Sequence, residues 1–511
     1  MVSTFQKLEV RSRLSTSYQL FGNTWHRRPA PHSPLIHILD DYSILNIFSL
    51  SRPNILDESE VDNMKILGGG EWNRERWWYR LVQVCRRWRY IMLESVSHLR
   101  LSLVCASGTP VADMLAHSPS IPLIIDHFDR CDDITAEDED GIILALQHRD
   151  RVRRIRLVKP IPTLQRIINS IDGEFPNLEY LFIVHQRWHR SMIEQNTNST
   201  NLNLPETFRA PNLRRLVLRD FALPIGSPLL TTMGNLIALS LTQIPPSAYF
   251  HPQALLQRLS LMPRLETLGI TFNSYYPSRD VERQLWRAPI MMPVTLPSLR
   301  WFSFQGASAY LEALLPWVTI PILEKLQVYF FNQLTYSMPN LQQFMNTAGN
   351  FRLKTATLTF REGYLNVKAY PHKGARRYTL TMSLSGRHLD WQVASTAQAF
   401  RAFRTALSAV EYLTLEYERH ILSSDSNNEA NRTQWRELLG SFENVKILSV
   451  DGELAEQLSR ALQPGEEESP TELLPELQEL SYPATASSLN VFSQFIDVRQ
   501  KAGCPVTMTY S

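Results

Sequence analysis

The stretch PNLEYLFI (176–183) decides the fold, because its pattern returns along most of the chain. Similar stretches are PNLRRLVL (211–218), PRLETLGI (263–270) and PSLRWFSF (297–304). They share the spacing apolar-x-x-apolar-x-apolar, with a proline two residues before the first apolar position. A spacing that recurs in this way predicts stacked repeats, since a single repeat cannot bury its own apolar face.

Eleven stretches carry this spacing at irregular intervals. Their apolar triplets are Val152/Ile155/Leu157, Leu178/Leu181/Ile183, Leu213/Leu216/Leu218, Leu236/Leu239/Leu241, Leu265/Leu268/Ile270, Leu299/Phe302/Phe304, Leu323/Leu326/Val328, Leu353/Ala356/Leu358, Val410/Leu413/Leu415, Val445/Leu448/Val450 and Leu477/Leu480/Tyr482. We expect the last two residues of each triplet to point inward from a short strand, and the first residue to anchor the turn before that strand. Six triplets have a proline two residues earlier, and we expect that proline to end the previous helix. The pattern predicts an α/β solenoid of irregular leucine-rich repeats over residues 99–511.

One interval, between Leu353 and Val410, is wider than the others. Residues 378–384 within it alternate like a strand but lack the full triplet, so they are either a degenerate repeat or an inserted hairpin. Residues 505–510 at the end of the chain predict a strand that caps the stack.

Composition restricts the class of protein. The 511 residues are 44% hydrophobic, and 52 lysines and arginines face 50 acids, which argues against a dedicated nucleic-acid binder. No apolar stretch reaches the ~18–20 residues of a membrane span. The four cysteines are too scattered for a disulfide framework or a zinc ribbon. We therefore expect a soluble cytoplasmic or nuclear protein. We also expect no cofactor or metal, because nucleophile-elbow, phosphate-loop and zinc-protease motifs are absent from the sequence.

The first hundred residues have a different organisation. Residues 1–33 are basic and predict a disordered leader, with an organelle transit peptide as the alternative. Residues 34–98 predict a small helical domain with an internal loop at 49–76. Asp40 and Asp41 precede an apolar run, as is typical of a helix N-terminus.

A strongly apolar segment follows the internal loop. The sequence WWYRLVQVCRRWRYIM (77–92) predicts one helix with two apolar stripes. About sixty residues supply too small a core to cover both stripes. The segment therefore favours contact with a second protein.

These residues resemble an F-box of the fungal, mushroom type. The likeness lies in residues 39–48, in LVQVCRRWR (81–89), in LSLVC (101–105) and in the leucine-rich region that follows. The chain differs from the family at Asp40, where many F-boxes have proline. This difference affects the expected affinity for the adaptor and leaves the expected fold unchanged. The resemblance implies a non-catalytic substrate receptor of an SCF-type cullin ubiquitin ligase, whose F-box binds the Skp adaptor. The implied adaptor contacts are Ile44, Leu45, Phe48, Leu81, Val84, Cys85 and Trp88.

The solenoid would then hold an unknown protein substrate on the strand positions between the inward residues. The candidate positions are Arg153, Arg154, Arg156, Arg215, Arg219, Trp301, Tyr329 and Glu416. A simpler interpretation of the arginines at 151–156 is a solvent-exposed strand face whose positive charge is balanced by the acidic run 132–140. Two alternatives to the ligase role stay open. One is a leucine-rich binding scaffold whose F-box-like helices serve as its own N-terminal cap, and the other is a hydrolase.

Overall fold

The computed structural model divides into two compact units, Met1–Leu223 with Ser227–Met233, and Pro224–Gly226 with Gly234–Ser511. It describes residues 39–53, 75–118, 120–127, 135–185, 202–273, 292–331, 338–347, 351, 353–361, 363–375, 379–385, 389–418, 432–464, 469, 472–483 and 491–510. The predicted leader, 1–33, and most of the predicted internal loop, 49–76, lie outside these residues.

The first unit is a parallel sheet that follows a helical segment. Its helices are α1 (Asp41–Ser51), α2 (Arg86–Glu94), α3 (Val96–Leu99), α4 (Val111–His117), α5 (Ala136–Gln147), α6 (Ile161–Ile168) and α7 (Pro228–Thr231). Its strands are β1 (Leu103–Cys105), β2 (Leu123–His127), β3 (Val152–Lys159), β4 (Tyr180–His185) and β5 (Arg215–Arg219). The strands pair in chain order, all parallel, as expected when helices connect successive strands.

The second unit repeats this alternation. Its strands are β6 (Ala238–Ile244), β7 (Thr267–Phe272), β8 (Val294–Thr295), β9 (Trp301–Gly306), β10 (Val318–Thr319), β11 (Lys325–Phe330), β12 (Thr355–Arg361), β13 (Tyr364–Tyr370), β14 (Leu380–Ser385), β15 (Tyr412–Glu418), β16 (Ile447–Val450), β17 (Glu479–Tyr482) and β18 (Thr507–Tyr510). Its helices are α8 (Pro252–Leu259), α9 (Ser308–Leu314), α10 (Pro339–Thr347), α11 (Leu389–Phe400), α12 (Arg404–Leu407), α13 (Arg432–Leu439), α14 (Ala455–Leu462) and α15 (Ser493–Lys501). The strand order is β6-β7-β9-β11-β14-β13-β12-β15-β16-β17-β18, and β8 pairs with β10 separately.

The repeat pattern is confirmed by the strands. Each of the eleven triplets ends in a strand, and its three apolar residues are buried. Within the first unit, Leu181 lies between Ile155 and Leu216 in register, so equivalent residues of successive repeats stack. Each unit is therefore α/β and solenoid-like.

The wide interval contains an inserted strand. β13 runs antiparallel between β12 and β14, whereas β14 is parallel to β11 and β12 is parallel to β15. The turn from β12 to β13 contains Gly363 at φ 86°, a backbone region that favours glycine. The strand predicted at 505–510 is β18, the last in the order.

One local expectation is wrong. The prolines before the triplets do not end helices: Pro176 and Pro263, for example, each begin a two-residue turn several residues after the preceding helix. The fixed φ of proline suits the first central position of a turn. The region predicted to be solenoid from residue 99 begins with the end of α3, and its first strand begins at Leu103.

A buried arginine fixes the end of the second unit. The Arg499 side chain on α15 is fully buried, and its Nη2 donates to the carbonyl oxygens of Leu474, Pro475 and Leu477 at 3.3–3.4 Å. These carbonyls belong to the turn before β17, where Leu474 has φ 52°.

Replacement of this arginine should destabilise the second unit. We expect Arg499→Ala to lower the free energy of unfolding by about 3 kcal/mol, because three carbonyl oxygens, two of them in buried hydrogen bonds, lose their donor. Arg460→Ala is the control, since Arg460 forms an exposed pair with Glu456 one helical turn away, worth about 0.3–0.5 kcal/mol. Urea unfolding followed by circular dichroism measures both. Equal losses would contradict the structural role of Arg499.

Gly306 makes room for an aromatic cluster. It ends β9, and a Cβ built on it would lie 2.7 Å from Cζ of Phe304 and 3.1 Å from Cδ2 of Phe272. Both rings pack against Tyr310, with centroids 5.6 and 5.0 Å away. The absence of a side chain at Gly306 therefore leaves the space that these aromatic rings occupy.

Gly306→Ala should overpack this cluster and cost about 1–3 kcal/mol of unfolding free energy. Gly234→Ala is the matched variant, because a Cβ added at Gly234 would meet no atom within 4 Å, and we expect it to be neutral or slightly stabilising. Thermal unfolding of both proteins checks this, and an unchanged midpoint for the Gly306 variant would contradict it.

Candidate functional site

The acidic start of α1 acts as predicted. Asp40 is the N-cap, and its Oδ1 accepts a hydrogen bond from the backbone N–H of Ser43 at 2.7 Å. This bond is the main reason why the pKa of Asp40 lies below its usual value. Asp41 forms a 2.6 Å ion pair with Arg87, which also donates to the carbonyl of Leu39. The residue that departs from the F-box pattern is thus a helix cap here.

The prediction of one helix over 77–92 is wrong. Two 3-10 turns, Trp77–Tyr79 and Leu81–Gln83, are followed by Cys85 in an extended conformation, at φ −157° and ψ 171°. Its Sγ accepts a hydrogen bond from the N–H of Trp88 at 3.4 Å and so caps α2. An extended residue cannot continue a helix, which is why the two apolar stripes do not share one axis.

The implied adaptor contacts fall into two groups. Ile44 and Phe48 are buried, and the Phe48 ring meets the Trp88 ring edge-on at 5.1 Å, so this side of α1 packs on α2. Leu45, Leu81, Cys85 and Trp88 are half-buried, and Val84 is exposed.

A set of exposed apolar side chains lies near these residues, and apart from Val84 the sequence reasoning missed them as contacts. Nine large hydrophobic side chains are more than a third exposed in the described chain, and six of them belong to residues 39–90. They are Leu39, Tyr42 (74%), Ile47, Leu50 (86%), Val84 (51%) and Tyr90 (66%). The spacing of Ile47 and Leu50, three residues apart, was the available signal for a second apolar face of α1.

The segment before α2 is tied to the first strand. Trp78 is buried and its Nε1 donates to the carbonyl of Ser102 at 3.2 Å. The N–H of Val104 donates to the Tyr79 hydroxyl, and Arg76 donates to the Val104 carbonyl. One side of this segment therefore covers the start of the sheet in the first unit.

The arginines of β3 have acidic partners on other elements. Arg153 pairs with Glu179 at 3.0 Å, and Arg154 lies 3.7 Å from Glu75. The Arg154 guanidinium also lies over the ring of Tyr180 at 5.3 Å. Within the described residues these partners lie outside the run 132–140, and Glu139 of that run pairs with Arg166 on α6. Residues 132–134 lie outside the described chain.

Arg156 is the most enclosed of these arginines. It forms a 2.9 Å pair with Asp126 on β2, and each side chain is 11% exposed, against 35% for both members of the Arg153–Glu179 pair. Burial raises the cost of removing one partner, because the remaining charge stays desolvated. Arg156 is thus better placed to hold β2 and β3 together than to contact a partner.

Two double-mutant cycles test this difference. We expect Arg156→Met with Asp126→Asn to give a coupling energy of about 1–3 kcal/mol, because that pair is shielded from solvent. Arg153→Met with Glu179→Gln should give less than about 1 kcal/mol, as exposed pairs do. The coupling energies come from urea unfolding of each single and double variant. The same small value in both cycles would contradict the structural role of Arg156.

The remaining candidates belong to both units. In the first, Arg215 is half-buried in register with Tyr180, and the exposed Arg219 lies 4.0 Å from Asp220. In the second, Tyr329 is half-buried on β11. Two other candidates there have polar partners. Trp301 donates to Gln327, with Lys325 4.2 Å over its ring, and Glu416 accepts from the Thr359 hydroxyl at 2.8 Å.

Two buried titratable groups of the first unit, His127 and Cys105, favour their uncharged forms. Burial, aided by Lys159, lowers the pKa of His127 to about 4, and its Nδ1 lies 3.2 Å from the Ser107 hydroxyl. Burial also raises the pKa of the Cys105 thiol to about 12. A thiol that stays protonated is a poor nucleophile, so this cysteine does not support the hydrolase alternative.

Among the described residues, no group of three His, Cys, Asp or Glu side chains could hold a metal ion. None of the described helices combines the length and hydropathy needed to cross a membrane.

Comparisons with known proteins give a structural likeness alone. No family model matches the chain, and no curated protein matches it in sequence. Among solved structures, it is similar to the leucine-rich repeat-containing protein LegL7 from Legionella pneumophila, at 10% identity and a TM-score of 0.24. That likeness covers 80% of this chain and 99% of LegL7. The solenoid-like fold stands on the strand order and register of each unit.

Proposed function

We propose that the chain is a non-catalytic substrate receptor of an SCF-type cullin ubiquitin ligase. In this role residues 34–98 bind the Skp adaptor, and through it the cullin, while the solenoid binds the protein that is ubiquitinated. The ligase would act in the cytoplasm or the nucleus.

The concentration of exposed apolar side chains on the helical segment carries this proposal. Six of nine such side chains within the described residues lie between 39 and 90. Clustered exposed apolar side chains are typical of protein-binding surfaces, and binding energy concentrates in a few aromatic or aliphatic anchors. Tyr42, Leu50 and Tyr90 are the most exposed of them.

The proposed adaptor contacts differ from the set that the resemblance implies. Ile44 and Phe48 are assigned to the packing of α1, because neither has accessible surface to offer. Tyr42, Ile47, Leu50 and Tyr90 take their place. Val84 and the half-buried Leu45, Leu81, Cys85 and Trp88 remain in the set.

A scaffold without a ligase is the second candidate. It is favoured by the hydrogen bond from Trp78 to Ser102 and by that from Val104 to Tyr79, which join the helical segment to the first strand. In that case the segment serves to close the sheet edge. Adaptor binding distinguishes the two candidates.

Co-purification with a recombinant Skp adaptor tests the ligase role. We expect the full chain to retain the adaptor, and Tyr42→Ala with Leu50→Asp to weaken binding at least about tenfold, as the loss of two anchors does. Both side chains are exposed, so the variant should keep its circular dichroism spectrum and its unfolding midpoint.

Leu261→Asp is the matched control, because Leu261 is an exposed leucine of the second unit. Undiminished adaptor binding by the double variant would refute the proposed contacts. A wild-type chain that retains no adaptor would favour the scaffold.

A further inference from the structure

The inserted strand places a lysine among hydroxyl groups. The outer face, defined as the strand positions that alternate with the buried apolar ones, carries Lys368 on β13. Thr381 on β14 and Thr357 on β12 lie opposite it in register on either side. Neighbouring strands are about 4.8 Å apart, so both threonines flank the lysine side chain. Thr414 on β15 continues the row beyond Thr357.

Several polar atoms of this face are buried without a hydrogen bond. Thr381 is 3% exposed, and its Oγ1 has no partner in the described part of the chain. The same holds for Oγ1 of Thr355 on β12 and for the acceptor Oδ1 of Asn366 on β13. Buried polar groups in native proteins are normally satisfied. The two threonine hydroxyls, on β12 and β14, can each donate a hydrogen bond, so they point to a ligand that carries acceptor oxygens.

In the part of the chain that the structure describes, Lys368 also differs from the charged residues near it in having no ionic partner. Lys368 forms no ion pair within the residues that the structure describes, whereas its charged neighbours are engaged. Glu416 accepts from the Thr359 hydroxyl, and Arg361 pairs with Glu418 at 2.6 Å. Within the described residues, no carboxylate thus pairs with the Lys368 ammonium.

We propose that the outer face around Lys368 binds a carboxylate side chain, from Asp or Glu, of the protein that the solenoid receives. A carboxylate carries one negative charge and accepts several hydrogen bonds, which suits one ammonium flanked by two hydroxyl donors. A phosphorylated side chain carries nearly two charges and is usually met by an arginine cluster. The nearest described arginine on the face, Arg361, is already paired with Glu418. The inference rests on the proposed receptor role of the solenoid.

Peptide pools test the chemistry without knowledge of the natural partner. The probes are degenerate twelve-residue peptides whose central residue is fixed as Glu, Gln, Lys or phosphoserine, and their binding to the full chain is measured by biolayer interferometry. We expect the Glu pool to bind about fivefold more strongly than the Gln pool. Lys368→Met should remove that preference, and Thr381→Val should reduce it.

Lys501→Met is the control, because Lys501 is an exposed lysine at the end of α15. Its peptide binding should equal that of the wild type. Equal binding of the Glu and Gln pools, a preference for phosphoserine, no binding by any pool, or an unchanged Lys368 variant would each overturn the inference. Adaptor co-purification by the Lys368 variant should stay normal, so a failure here is distinguishable from a failure of the ligase role.

Discussion

Register between successive parallel strands is the constraint on which the repeats depend. In the second unit Leu326 of β11 lies between Phe302 of β9 and Leu380 of β14, and all three are buried. A shift of one residue would turn such a row to the outer face and place polar side chains in the core. Turn prolines such as Pro176 and Pro263 lie before several of these strands, and Gly306 leaves the space that two phenylalanine rings occupy. Both features therefore serve the same alignment.

The helical segment that precedes the first strand buries only part of its apolar surface. Phe48 and Ile44 hold α1 to its neighbours, and Trp78 anchors the preceding turns to Ser102. After these contacts, Tyr42 and Leu50 still face solvent. A short segment with this many apolar residues cannot cover all of them, because the surface of a small domain is large relative to its volume.

The sequence predicts the strands well because their signal is local. Each triplet contains its own period of two, and the buried positions follow from it directly. Apolar spacing fails at Cys85, since it carries no information on the single extended residue that separates the 3-10 turns from α2. The partners of Arg154 and Arg156 were missed for another reason. Glu75 and Asp126 reach them only through folding, whereas the acidic run 132–140 was chosen for its closeness in sequence. Lys368 was missed because its neighbours are set by the antiparallel pairing of β13.

The reversal at β13 limits how this solenoid can vary in length. β12 and β14 both run with the other strands, so the chain enters and leaves the insertion in the same direction. If β12 and β13 were deleted together, β14 could meet β15 as an ordinary parallel neighbour. Deletion of β13 alone would make β12 and β14 consecutive parallel strands. The connection left between them would be too short to run back along the sheet to the start of β14. Strands added to or removed from a single repeat must therefore come in even numbers, and relatives of this chain should differ here by two strands or none.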